Sequence, residues 1–366
     1  MRVQSNKINF EGQNIYTGID VHKKQWTVCV YLDHMEKEHA IFSQPPTAEA
    51  LKHYLRLHYP GGVYKSAYEA GFCGFHVHQQ LEAAGISNRV VNPADVPTTH
   101  KEKVTKDDRR DSRKLGRSLR ANELTAIHVP QRKTQEDRSL VRMRCTIRKD
   151  INRVKSRTKS FLFFYGIEHP AQFSSPSTHW SRRYMEWLKT VPMEEESGRA
   201  TLDAMISEVV EMRKVLLSVT RQIRVLSQTE AYAKDYELLL SIKGIGPITA
   251  MTLLTEIEDI SRFASTDHLA SYVGLTPSCH SSGGKENNGQ ITSRNQQHLR
   301  EMILESAWKA ASDDPALKAA FREFSKRMKP NKAIIRIARK LVNIIYSVLK
   351  TKKKYVCMVG NKKETV

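Results

Sequence analysis

Four carboxylates in this chain are spaced as phosphodiester chemistry would need them. Asp20 lies in the strand-like run 16–21 (Tyr-Thr-Gly-Ile-Asp-Val), and Glu69 closes a second such run over 64–69. Asp108 and Asp111 stand three positions apart at the start of a predicted helix, which puts both on one helical face. Carboxylates gathered from separate elements repel one another unless a cation screens them. Hard oxygen ligands of this kind suit Mg²⁺, and paired Mg²⁺ ions suit attack on a phosphodiester. Asp20, Glu69, Asp108 and Asp111 are therefore the candidate metal ligands and catalytic acids.

The elements that must position them are legible in the pattern over 14–125. Strands are expected over 15–21, 26–32 and 38–43. A helix opens at Thr47, with Leu51, Tyr54, Leu55 and Tyr59 on one side. A strand to Glu69 follows, then a helix over 75–84 ended by Gly85, a strand over 88–93 stopped by Pro93, and a helix from Asp108 to Asn122. The order is βββαβαβα. A hairpin-built sheet with acids on its first strand, its fourth strand and its last helix describes a ribonuclease-H-like α/β fold. Ligands of open α/β sheets gather at strand C-terminal ends, where Glu69 falls.

Composition narrows the partner. The formal net charge is +20 over 366 residues, and such an excess of Lys and Arg points to a polyanion, nucleic acid before a membrane surface. No long uncharged apolar run offers a membrane span, and the N-terminal segment 1–13 is too polar for a signal peptide. The five cysteines form no CxxC pair and are odd in number, which fits a reducing, intracellular setting better than zinc modules or disulfides.

Downstream, residues 126–235 read as a basic helical region. A helix over 135–165 carries Arg142, Arg144, Arg148, Lys149, Arg153, Lys155, Arg157 and Lys159, a face suited to phosphate backbone. Arg148, Arg153 and Arg157 are its candidate nucleic-acid contacts. A second helix, 201–228, repeats apolar residues every three or four positions: Leu202, Met205, Val209, Met212, Leu216, Val219, Ile223 and Leu226. This seam suits either an intramolecular helical hairpin or a coiled coil between copies of the chain.

Residues 236–355 read as a mostly helical C-terminal domain. It opens with an apolar helix, a Gly-Ile-Gly turn at 244–246 and a further helix, similar to a helix-hairpin-helix. Gly244 and Gly246 would let backbone N–H groups approach a phosphate, unless the turn is only a packing joint. A polar Gly-rich segment follows (Ser281-Ser282-Gly283-Gly284-Lys285) and suits a mobile active-site loop, with Lys285 a candidate phosphate contact.

Taken in order, these motifs resemble the DEDD transposases of the insertion-sequence-110 type. Gly18-Ile19-Asp20-Val21-His22-Lys23 is similar to that family's first acidic motif, Tyr68-Glu69-Ala70-Gly71 to its second, and the run 106–112 to its Lys-Thr-Asp-x-x-Asp-Ala motif. The runs 242–249, 274–277 and 281–283, with Leu299-Arg300, are similar to its C-terminal domain. The resemblance implies a RuvC-like domain whose four acids hold Mg²⁺, a helical coiled-coil insertion, and a C-terminal domain with a nucleophilic serine. It assigns that role to Ser282, with Ser281 adjacent. It further implies donor and target DNA as substrates, an element-encoded guide (bridge) RNA that pairs with both, and a homo-oligomer, dimer or tetramer, sharing composite sites in a bacterial, nucleoid-associated cytoplasmic setting. The chain departs from the family at Asp107, a fifth carboxylate in place of Thr, at Ser112 in place of Ala, and at 291–295, where a family Lys and Gly are missing.

Overall fold

The computed structural model describes residues 9–98, 107–282, 285–291 and 296–357, with backbone alone for 277–282 and 285–291. The chain divides into two compact units, Met1–Val129 and Pro130–Val366. The helical region expected over 126–235, apart from its first four residues, and the C-terminal region expected over 236–355 both lie in the second unit.

The first unit is built on a five-stranded mixed sheet in the order β3-β2-β1-β4-β5. Strands β1 (Asn14–Val21), β2 (Trp26–Leu32) and β3 (Ala40–Gln44) form an antiparallel meander. Strands β4 (Val63–Glu69) and β5 (Ser87–Val91) continue it in parallel from β1. Helix α1 (Ala48–His58) starts at Thr47, whose hydroxyl accepts from the Ala50 N–H at 3.3 Å. It places Leu51 and Leu55 on one face of the sheet, and α2 (His76–Ala83) adds Val77 and Leu81. They cover Ile15, Ile19, Trp26, Val28, Val30 and Tyr68. Helix α3 (Asp108–Arg120) covers the opposite face, where Leu115 and Leu119 join Ala67 and Val91. Both faces are covered, so β2 is buried from Trp26 through Tyr31 without polar alternation.

The second unit begins with α4 (Arg132–Phe164), which packs on α6 (Glu196–Ser227) within the chain. At about 1.5 Å per residue each spans about 50 Å. The connecting segment carries α5 (Arg182–Thr190), and Phe173, Tyr184, Met185 and Leu188 fill one end of the pair against Val154, Leu162, Leu202, Ile206 and Val209. The other end, with Val141 and Ile223, belongs to a second core formed by the helices that follow. These are α7 (Ala233–Leu240), α8 (Pro247–Ile257), α9 (Thr266–Val273), α10 (Gln297–Asp313), α11 (Pro315–Arg327) and α12 (Pro330–Thr351).

Two sequence expectations change here. The apolar stripe of α6 is not uniformly buried: Leu202, Ile206, Val209 and Ile223 are, whereas Met205, Met212, Leu216, Val219 and Leu226 are half-buried. Two helices alone bury a narrow stripe, and it widens only where α5 or the C-terminal helices add a third wall. The Gly-rich segment, expected as a loop, contributes two short antiparallel strands, β6 (Pro277–Ser282) and β7 (Lys285–Ile291). Their Ser, Asn and Gly content carries little strand propensity, so the pattern gives no sign of the ladder.

Candidate active site at the ends of β1 and β4

Strand register brings the first two acids together. Ile19 lies opposite Tyr68 in the parallel β1–β4 pair, so Asp20 and Glu69 are the next residues on adjacent strands. The second pair arrives on α3, whose backbone comes down onto β1. A methyl group on Gly18 would lie 2.1 Å from the Ser112 carbonyl oxygen and 2.2 Å from the Gly116 nitrogen. One on Gly116 would lie 2.8 Å from the Tyr31 ring. Only residues without a Cβ allow this approach, and it sets the first turn of α3 over the end of β1.

That turn carries Asp108 and Asp111, where the helix dipole favours negative charge. Asp107 precedes it as the N-cap, accepting from the Arg109 N–H at 3.2 Å. The fifth carboxylate thus serves as a helix cap, a role Thr also fills, which explains how Asp replaces the family's Thr. Ser112 is fully buried and donates to the Arg109 carbonyl at 3.0 Å, so the extra hydroxyl is satisfied within the helix.

The four acids fall into two pairs, each completed by a residue that the sequence reading did not single out. His22 Nε2 lies 3.1 Å from an Asp20 oxygen and 3.6 Å from an Asp108 oxygen. One donor atom from each of Asp20, His22 and Asp108 falls within 4.8 Å of the others, the only such group among the described residues. Burial pushes the Asp20 carboxyl above the ordinary aspartate range; His22 draws it back, and Asp108 and Asp111 push it further up. The second pair closes on Lys114, a buried residue whose Nζ sits 3.1 Å from Glu69 and 3.4 Å from Asp111. Its contact with Glu69 Oε1 is an ion pair without hydrogen-bond alignment. Burial alone would depress the Lys114 pKa, but Glu69 and Asp111 outweigh it and hold the ammonium above the usual lysine range. The available signal was spacing: Lys114 follows Asp111 by three positions on the same helical face.

An open cleft beside Asp108 is lined by His22, Lys23, Lys24, Gln25 and Phe72. Phe72 is 64% exposed, so the cleft offers two ammonium groups and a free aromatic face.

The remaining candidates lie in the second unit. Ser282 ends β6 opposite Lys285, the first residue of β7, and Ser281 pairs with Glu286. Of the departure at 291–295, residues 292–295 lie outside the described residues. Arg148, Arg153 and Arg157 are all exposed, and each has an acidic neighbour, Glu305 at 3.5 Å, Asp150, and Glu208 at 3.2 Å respectively. Two cations of the same helix are occupied structurally. Arg142 grips the buried Glu256 through two hydrogen bonds of 2.7 and 2.8 Å, and Arg144 donates to Thr220 at 2.9 Å. Gly244 has a left-handed φ of 90°, and a methyl there would lie 2.5 Å from the Ser306 carbonyl of α10, so packing accounts for that glycine. Gly246, the N-cap of α8, faces open space.

Comparison with known proteins gives one consistent answer. Residues 17–167 match the family model described as the IS110 DEDD transposase, and residues 236–322 match the model of the IS116/IS110/IS902 transposase family. The transposase for insertion sequence element IS1533 of Leptospira borgpetersenii is 23% identical over 91% of this chain and 97% of its own length. The putative transposase y4qE of Sinorhizobium fredii is 28% identical over 66% of this chain, a match spanning 57% of that protein. The pilin gene-inverting protein of Moraxella bovis is 38% identical over 31% of this chain and 36% of its own length. No helix among the described residues is long and apolar enough to cross a membrane. With both models of one family matched in order along more than half of its length, the chain belongs to the IS110-type transposases.

Proposed function

We propose that the chain is the recombinase of an insertion sequence, cutting and rejoining DNA by serine attack assisted by Mg²⁺. The observation that carries this reading is the convergence of Asp20, Glu69, Asp108 and Asp111 at the ends of β1 and β4, in a chain of this family. The first unit is then a RuvC-like nuclease domain. Its donor set fits a hard divalent cation: carboxylates are gathered, and Asp20, whose pKa is raised first by burial and then by Asp108 and Asp111, would gain from a cation beside it. When bound, Mg²⁺ supplies charge neutralisation at the scissile phosphate. Lys23, Lys24 and Phe72 in the adjoining cleft suit a strand, two cations for its backbone and a ring for a base.

Ser282 is the proposed nucleophile. Its Oγ bonds to phosphorus, the bond from phosphorus to a sugar oxygen breaks, the serine loses its proton and the sugar oxygen leaves protonated. The phosphoserine link conserves the bond energy, so rejoining needs no ATP. As in the resembled family, the serine of one copy would meet the acids of another. Met205, Met212, Leu216, Val219 and Leu226 of the α6 seam are only half-buried within the chain and suit the coiled-coil contact of a homo-oligomer, dimer or tetramer. The guide RNA and the donor and target DNA account for the +20 charge, with Arg148, Arg153, Arg157, Gly246 and Lys285 as backbone contacts and Gly244 shaping their turn.

The test is a covalent intermediate. End-labelled element-junction DNA, RNA and Mg²⁺ are incubated with the protein, and denaturing gels read the protein-linked strand. Wild type should form it, and Ser282→Ala should not. Adduct in Ser282→Ala but not in Ser281→Ala would move the nucleophile one residue back. Mg²⁺-dependent cleavage with no adduct from wild type would instead identify a resolvase-like nuclease that uses water.

A further inference from the structure

The four acids are not equivalent. Asp20 and Asp108 stand with His22, and their donor atoms are near enough to share one ion. Glu69 and Asp111 already share a cation, the Lys114 ammonium, which lies 3.1 Å from one and 3.4 Å from the other. This lysine is no surface residue that wandered in. It is 8% exposed, on the same helix as Asp108 and Asp111, and that helix is fixed by the Gly18–Gly116 contact. A buried ammonium persists only where paired charge balances it. A divalent ion bound by Glu69 and Asp111 would have to displace it or face it at close range.

We propose that Lys114 takes the place of a second metal, so that the site binds a single divalent cation at Asp20, Asp108 and His22 while the lysine holds Glu69 and Asp111. The inference rests on the metal reading above and divides the labour within it. Lys114 is a positioning residue. It fixes the carboxylates of β4 and α3 without an ion, and it leaves a permanent positive charge where a two-ion site would carry an exchangeable one. The imidazole adds a nitrogen donor to the remaining seat, which favours Mn²⁺ relative to Mg²⁺ beyond an all-oxygen set.

The test counts ions on the full-length protein. Mn²⁺ binding is titrated by electron paramagnetic resonance of the free ion and by calorimetry, with Asp20→Asn as the reference that lacks the site. Wild type should bind one Mn²⁺ more than Asp20→Asn. Lys114→Met keeps the apolar stem and frees two carboxylates, so it should bind two more. Lys114→Arg restores the charge and should return the count to one. His22→Ala removes one of three donors and should weaken Mn²⁺ binding by at least about tenfold, no less than the loss of an outer-shell partner costs. Two extra ions on wild type would overturn the proposal, as would a folded Lys114→Met that still binds one. No extra ion on wild type would sink the metal reading itself and this inference with it. Should Lys114→Met fail to fold, the wild-type count alone decides between one ion and two.

Discussion

The acid site and the serine hairpin are held in opposite ways. Asp20, Glu69, Asp108 and Asp111 come from two central strands and a helix whose backbones touch, with His22 and Lys114 set among them. Ser282 sits at the end of a sheet of only two strands. Among the described residues the strand of Ser282 has one neighbouring strand, whereas β1 and β4 have neighbours on both edges and a helix on a face. The difference teaches where precision is needed. Carboxylates that share a cation must keep their spacing at rest, while the proposed nucleophile need only be presented when substrate arrives. Each side therefore has its own way of failing.

The largest effects should separate the two halves by what survives. Asp20→Asn should abolish strand exchange and divalent-cation binding together. Ser282→Ala should abolish the adduct and strand exchange yet bind Mn²⁺ as wild type does, as titration would show. Absence of Mn²⁺ binding in Ser282→Ala would break the division. Next in size is the packing beneath the acids. Gly18→Ala drives a methyl into the backbone of α3 and should cost about 3 kcal/mol in a chemical melt, the upper end for overpacking. Gly246→Ala, with open space around it, should cost about 1 kcal/mol or less, as for a changed N-cap.

Smaller effects test the second unit. Leu202→Ala should destabilise it by about 2 kcal/mol, because the side chain is fully buried. Leu216→Ala should cost less than half of that in the isolated chain, and light scattering of Leu216→Glu reads whether the half-buried middle of α6 carries assembly. The smallest effect belongs to the basic face. Replacing Arg148, Arg153 and Arg157 by Ala should lower the salt dependence of nucleic-acid binding by about one unit of slope for each phosphate no longer neutralised. Their neighbours Glu305, Asp150 and Glu208 already balance part of that charge. An unchanged slope would return this face to solvent.

What could be read in the sequence was whatever local periodicity or a motif marks. The βββαβαβα order came from alternation and turn residues, and every one of those elements is present within a few positions. The four acids stood out because they end strands or open a helix. His22 and Lys114 did not, because each has one near partner, Asp20 and Asp111, and gains its meaning only from a second that is distant in sequence, Asp108 for His22 and Glu69 for Lys114. Helix α11 is faint in the pattern for a related reason. Its stripe of Leu317, Ala320, Phe321 and Phe324 is short and set among charged residues, and of these only Leu317 is buried while the others are half-buried against the core. Likewise the buried Glu256 reads as one polar interruption in an apolar helix until Arg142, on another helix, is seen beside it.

The contact between Gly18 and Gly116 also governs which changes of length this protein can accept. Asp108, Asp111 and Lys114 climb α3 in steps of three, and Gly116 anchors that ladder to β1. An α-helix turns about 100° per residue. A single residue inserted between Asp111 and Gly116 would keep the anchor and rotate the two aspartates away from the strand ends, carrying Arg109 and Arg110 around with them. Substitutions beside these marks can be absorbed, as Asp107 at the cap and Ser112 within the helix illustrate. A shift in length cannot, so the segment from Asp108 to Gly116 behaves as a fixed ruler whose gaps may be refilled but whose marks may not be respaced.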